Sequence, residues 1–129
     1  MSMNSALNSY KVVSNQTGIV DANPHRLIQM LFEGVLDRLH MAKGLIEHKD
    51  IEARSRYINK AIGIIGGLQS SLNSEAGGDV AANLDSLYDY VMRRLFDANR
   101  LNSMEILDEV VGLVKEIKSG WDGISDEVN

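Results

Sequence analysis

The sequence predicts an all-α fold, an antiparallel up-down four-helix bundle with a mobile N-terminal arm or short helix. Three observations carry that reading. Apolar residues recur at i, i+3, i+4 and i+7 through four successive stretches. Ile, Val and Leu never alternate with polar residues over six positions, so no strand pattern competes. The single proline, Pro24, stands where a helix begins, and nothing beyond it carries a proline that would break one. A chain of 129 residues, 44% apolar and 24% charged, is one globular domain able to bury about two-thirds of its unfolded surface.

The elements follow in chain order. Residues 1–22 are rich in Ser, Asn and small apolar residues, and read as an arm that is loosely held. Asn23-Pro24 is a cap followed by proline at the first helical position, where a missing N–H does no harm. The first helix, 24–48, carries Ile28, Leu31, Phe32, Val35, Leu39, Ala42, Leu45 and Ile46 on one face, and Leu27, Leu36 and Met41 widen it. His48-Lys49 closes it with basic side chains at the negative end of the helix dipole. Asp50 caps the second helix, 51–73, whose face is Ile51, Ile58, Ala61, Ile62, Ile65, Leu68 and Leu72. Ser70 to Gly78 reads as loop and Asp79 as a cap for the third helix, 80–100, with Val80, Leu84, Leu87, Tyr88, Val91, Leu95 and Phe96. Ser103 caps the fourth, 104–124, with Leu107, Val110, Val111, Val114, Ile117 and Trp121. Residues 125–129 form a tail, and the bundle as a whole is expected over 23–124. Helices of about 21–25 residues span roughly 32–38 Å at 1.5 Å per residue. Matched lengths and short links favour antiparallel neighbours.

Composition excludes several functions. The whole formal charge of −5 falls in residues 101–129, where Lys115 and Lys118 face seven acidic residues. Scattered basic residues on an acidic chain make no phosphate-binding stripe, so nucleic acid is not an expected partner. Cysteine is absent, which removes disulfides, thiolate metal sites and a cysteine nucleophile and fits a reducing compartment. No apolar run reaches the roughly 18 residues of a membrane span, and Met1 to Ser5 shows no basic, apolar leader pattern. A cytoplasmic protein without direct membrane insertion is expected.

Catalytic chemistry finds little support. Asp37 and His40 stand at the i, i+3 spacing of di-iron bundles, with Glu33 one turn earlier. A di-iron site needs that pair on two helices, and the three histidines, His25, His40 and His48, all precede the second helix. Asp37, Arg38 and His40 therefore read as surface residues. Neither Gly63–Gly67 nor Gly77-Gly78-Asp79 has the order of a phosphate loop, and no GxSxG occurs. No enzyme, cofactor or metal is expected. The glycines still need a reason, since Gly63, Gly66 and Gly67 lie inside a helix at a cost of about 1 kcal/mol each relative to Ala. Either a neighbouring helix packs closely there, or they floor a groove that admits a helix from outside. Tyr57, Tyr88, Tyr90 and Met92 recur around the same two helices and leave the same choice open.

Beside this reading stands a resemblance. Pro24-His25-Arg26-Leu27-Ile28-Gln29-Met30-Leu31-Phe32-Glu33-Gly34 is similar to the first-helix signature of the FliS-type flagellin export chaperones, P-x-x-L-I-x-M-L-Y/F-D/E-G. Gly77-Gly78-Asp79-Val80-Ala81-Ala82-Asn83-Leu84, continuing through Leu87-Tyr88-Asp89-Tyr90-Val91-Met92-Arg93-Arg94-Leu95 to Ala98-Asn99, resembles a second block. Glu109-Val110, Leu113 and Trp121 resemble the last helix, and Tyr10 stands 14 residues before Pro24, where the family also carries a tyrosine. Departures are small: Phe32 for a common tyrosine, Glu33 for aspartate, and Val91-Met92 for a Met-led pair.

The resemblance implies a cytoplasmic chaperone that binds the C-terminal segment of unassembled flagellin. It implies too that this blocks premature polymerisation and aids delivery to the flagellar type III export apparatus through an export gate component. In the family, the flagellin segment becomes helical and fills apolar grooves, and the N-terminal arm covers a groove when the client is absent. Carried over, Leu7 and Tyr10 are the arm's anchors, and Tyr88, Val91 and Leu95 belong near a groove. A monomer or weak homodimer is expected. The competing reading is a structural or self-associating helical bundle with no flagellin client.

Overall fold

A computed structural model describes residues 23–123, with 74–76 described in backbone only. Four helices account for nearly all of it: α1 (Pro24–Glu47), α2 (Ile51–Ser70), α3 (Ser74–Leu101) and α4 (Met104–Asp122). Three of the four starts that the sequence marks with a cap are capped; Asp79, expected to cap the third helix, instead lies inside α3, just after the break at Gly78. The Asn23 side chain accepts from the Arg26 N–H at 2.7 Å, Asp50 from Ala53 at 3.0 Å, and Ser103 from Ile106 at 3.1 Å. Such caps satisfy N–H groups that the helix itself leaves free, at about 1 kcal/mol each.

The second link differs from the sequence expectation. Helical backbone resumes at Ser74 and is interrupted at Gly78, whose φ of 53° and ψ of −128° are outside helical space. A residue with a Cβ is strained there, so glycine lets the chain turn before the long part of α3 starts.

Two further corners turn through left-handed residues, Asn102 (φ 52°) after α3 and Lys49 (φ 56°) after α1. Asparagine tolerates this conformation, whereas an ordinary side chain gives up about 1–2 kcal/mol. Lys49→Gly is therefore expected to raise stability by about 0.5–1 kcal/mol, seen as a higher melting temperature. An unchanged or lower melting temperature would contradict the strain.

Each helix packs on its chain neighbours, and α1 closes the ring against α4. Cross-helix pairs give the directions. Lys43 near the end of α1 meets Asp108 near the start of α4 at 2.5 Å, and Arg54 at the start of α2 meets Asn99 at the end of α3. At the opposite end of the bundle, His25 and Trp121 hold α1 to α4. The His25 Nε2–H donates to the Trp121 carbonyl at 2.9 Å, and the Trp121 Nε1–H donates to the His25 carbonyl at 3.0 Å. Their rings stack with centroids 5.4 Å apart. Asp122 extends this clasp by accepting from Gln29 at 2.8 Å and from Lys118 at 2.5 Å. Partial desolvation pushes its carboxyl upward, but the Lys118 and Gln29 hydrogen bonds outweigh that and hold it below the usual aspartate range.

The bundle is antiparallel, as the sequence predicts. Its interior is formed by Ile28, Phe32, Val35, Leu39, Ile58, Ile65, Leu68, Tyr88, Val91, Leu95, Leu107 and Val114, all essentially without solvent exposure. Three residues that the periodicity places on core faces lie outside it: Ile51 is 63% exposed, Phe96 59% and Met41 50%. Ile51 is the first residue of α2, directly after its cap Asp50. Phe96 lies one position, about 100°, past Leu95, on the flank of the buried stripe. No helix among the described residues is long and apolar enough to cross a membrane.

Candidate binding groove

Asp37 and His40 are exposed on α1, and no group of three metal-ligating side chains exists among the described residues. Of the positions that the sequence nominates for a partner, Leu7 and Tyr10 lie outside the described residues. Tyr88, Val91 and Leu95 are all fully buried on the core face of α3. In this state they offer no surface. What reaches solvent is the adjacent stripe of the same helix.

That stripe is Asp85, Asp89, Met92, Phe96 and Asn99, stepping by three and four residues along one flank. Its orientation follows from its partners on α2. Gln69 Nε2 donates to the Asp85 carbonyl at 3.2 Å and to Asp89 Oδ1 at 2.8 Å. A Cβ on Gly66 would lie 3.9 Å from Met92 Sδ. Ser55 Oγ donates to Asn99 Oδ1 at 3.0 Å. The α2 side is the matching stripe Ser55, Asn59, Ile62, Gly66 and Gln69. Phe96 sits between Met92 and Asn99, so it lies on the outer rim of the α2–α3 seam. Ile62 and Met92 are half-buried against the core and form the floor with Gly66.

The glycines of α2 can now be read more closely. A Cβ at Gly63 or Gly67 would meet no described atom within 4 Å, and at Gly66 only the flexible Met92 sulfur at ordinary contact distance. Close helix packing does not require any of the three among the described residues. Their effect is to keep the outer surface of α2 low. On its other flank α2 meets α1, where Ile64 lies 3.4 Å from the position of a Gly34 Cβ. Met30 and Met41, each 50% exposed, lie one and two turns along that flank of α1. Methionine is unbranched and polarizable, suited to adaptable apolar contact.

The opposite flank of α3 is built for something else. Tyr90 donates to Glu109 Oε2 at 2.5 Å, and Arg94 Nε to Glu109 Oε1 at 2.9 Å, with Asp97 on Arg94 at 3.3 Å. The Tyr90 and Arg94 hydrogen bonds hold the Glu109 carboxyl below its ordinary range, and the same bond to Glu109 raises the Tyr90 hydroxyl. These groups satisfy one another at the surface, where each pair contributes only about 0–1 kcal/mol. Toward α4 helix α3 is ionic. Toward α2 it is apolar between polar ends.

Periodicity alone missed Phe96 as a surface residue and left Met92 open between core and groove. A signal was present, since both fall one position after the Val91 and Leu95 stripe, at a spacing of four.

Comparison with known proteins gives a consistent result. The family model for the flagellar protein FliS matches residues 6–128. The flagellar secretion chaperone FliSB of Pseudomonas aeruginosa is 52% identical over 120 residues, 93% of this chain and 95% of that protein. The flagellar secretion chaperones FliS of Salmonella typhimurium and Vibrio cholerae are 40% and 39% identical over 126 and 125 residues. These alignments span 97% of this chain and 93% and 92% of those proteins.

Proposed function

The chain belongs to the FliS family of flagellar chaperones, which are not enzymes, and on that premise we propose that its client is the C-terminal segment of unassembled flagellin. The segment docks as an amphipathic helix along the α2–α3 seam. Occupying it there in the cytoplasm keeps flagellin from polymerising and holds it ready for a component of the flagellar export gate. The observation that carries this reading is the seam itself, with Phe96 exposed above a floor of Ile62, Gly66 and Met92. A helix laid in a groove needs an apolar floor low enough for its side chains to reach, and glycines on the receiving helix supply that. Tyr88, Val91 and Leu95 contribute from behind, as the rigid wall that supports Met92 and Phe96. Leu7 and Tyr10 of the arm compete with the client for apolar surface.

A segment that folds on binding loses conformational entropy and must bury extensive apolar area to compensate. Calorimetry should therefore give a large negative heat-capacity change and circular dichroism a gain in helix, with only weak dependence on salt. The test compares flagellin with and without its C-terminal segment. The intact protein should co-purify with the chain and the truncated one should not. Gly66→Ala separates groove from fold, because it should raise stability by up to about 1 kcal/mol while its Cβ, 3.9 Å from Met92 Sδ, fills the floor and weakens client binding. Equal capture of both flagellins sinks the reading, as does self-association that flagellin leaves unchanged in sedimentation.

A further inference from the structure

One group in the bundle breaks the rule that charges stay in water. Arg54, on the first turn of α2, is 4% exposed, and among the described residues none of its hydrogen-bond partners is a carboxylate. Its Nε–H donates to Asn99 Oδ1 at 3.2 Å, one terminal nitrogen to the Asn99 carbonyl at 3.0 Å, and the other to Asn102 Oδ1. All three acceptors are neutral and belong to the last turn of α3 and the residue after it. The negative end of the α3 dipole offsets part of the desolvation. A buried charge still costs several kcal/mol, and an apolar side chain of similar volume in such a place often gives equal or greater stability. Stability is therefore a poor account of this arginine. Its directional property is a better one: a planar guanidinium with fixed N–H directions holds two helix ends at one spacing and one rotation.

The location gives that rigidity a purpose. Ser55, the next residue, donates to the same Asn99 Oδ1, so Arg54 and Ser55 close one end of the α2–α3 seam. Gln69 with Asp85 and Asp89 closes the other. Between these two polar clips the stripes carry Asn59, Ile62 and Gly66 against Met92 and Phe96, with no charged side chain on either. Ser55 to Gln69 spans about 21 Å along α2, roughly four helical turns. We infer that Arg54 is a positioning residue for client uptake: by tying Asn99 and Asn102 to the start of α2, it sets the width of a preformed groove that accepts a helical segment of about four turns. The inference rests on the client reading above and deepens it.

The test uses the full chain and a synthetic peptide of the flagellin C-terminal segment, titrated calorimetrically at a temperature where every variant is folded. Arg54→Met removes the fork while filling its volume. Asn102→Gly keeps the left-handed corner and removes one acceptor, so it folds even where Arg54→Met does not. Val114→Ala, in the core on α4, serves as a destabilised control. Arg54→Met is expected to weaken peptide binding at least ten-fold and Asn102→Gly several-fold, while Val114→Ala binds as the parent does. Because the chain has no cysteine, spin labels at Asn59→Cys and Arg93→Cys report the α2–α3 distance directly. Its distribution should broaden in Arg54→Met and not in Val114→Ala. Unchanged affinity in both latch variants, or losses that follow melting temperature through the control, overturns the role of Arg54. Phe96→Ser separates the two levels. If it weakens binding while the latch variants do not, the groove stands and the latch falls. If the parent chain takes up no peptide, the client reading and the latch fall together.

Discussion

Replacing Trp121 with alanine should remove about 3–5 kcal/mol of stability, the range for a large buried aromatic. Such a loss is a large share of the roughly 5–15 kcal/mol that holds a domain of this size together. The ring is 5% exposed, stacked on His25, and its Nε1–H satisfies the His25 carbonyl. Alanine leaves a cavity and removes the donor to that carbonyl, and the effects reinforce each other because they act on one junction. With about 100 residues in the bundle, each kcal/mol shifts the melting temperature by several degrees, so the expected drop exceeds about 10 °C. Trp121→Phe separates the parts: it keeps most of the stacking and costs about 1–3 kcal/mol for the lost hydrogen bond. Urea denaturation checks both. A Trp121→Ala protein that melts within two or three degrees of the parent would mean that the clasp does not hold α1 to α4 in solution.

Tyr88 and Phe96 should behave oppositely, although both are aromatic residues of the same helix. Tyr88 is the largest of the fully buried side chains, and Tyr88→Ala should cost about 3–5 kcal/mol as other buried aromatics do. Leu95→Ala belongs with it at about 2–5 kcal/mol. Phe96→Ser takes away a ring that is already 59% exposed, so stability should move by under about 1 kcal/mol. Flagellin affinity should respond in reverse, falling strongly for Phe96→Ser. For Tyr88→Ala it should fall only as far as the groove wall relaxes. Denaturant curves paired with calorimetry on the same four proteins decide it. A Tyr88→Ala protein of unchanged stability, or a Phe96→Ser protein of unchanged affinity, would show that burial on α3 has been assigned to the wrong flank.

Helix type, number and starting caps were legible because they depend on residues near one another in the chain. Asn23, Asp50 and Ser103 cap through a side chain and an N–H three residues on. The 3.6-residue period marks an apolar face whatever it will pack against. The family was legible too, since its motifs are contiguous runs on α1, α3 and α4. The groove was not. Whether Phe96 or Leu95 is covered depends on about 100° of helix rotation, which the neighbouring helices settle. The three glycines of α2 were equally compatible with close packing and with a groove floor until the space beside them was known.

Arg54 marks the same division most sharply. In the sequence it is one basic residue on a helix, with no local feature to single it out. Its acceptors, Asn99 and Asn102, lie more than forty residues away, and no local pattern links a guanidinium to two asparagines at that distance. Four amphipathic helices, three of their starting caps, an acidic C-terminal end and membership of a chaperone family can be read along the chain, because short-range hydrogen bonding and periodicity are written residue by residue. Which apolar residues stay in water, where α2 lies low beside α3, and which charge is buried to hold them apart came from the packed bundle alone. Those properties are set by the rotation and spacing of helices, which depend on all four packing at once.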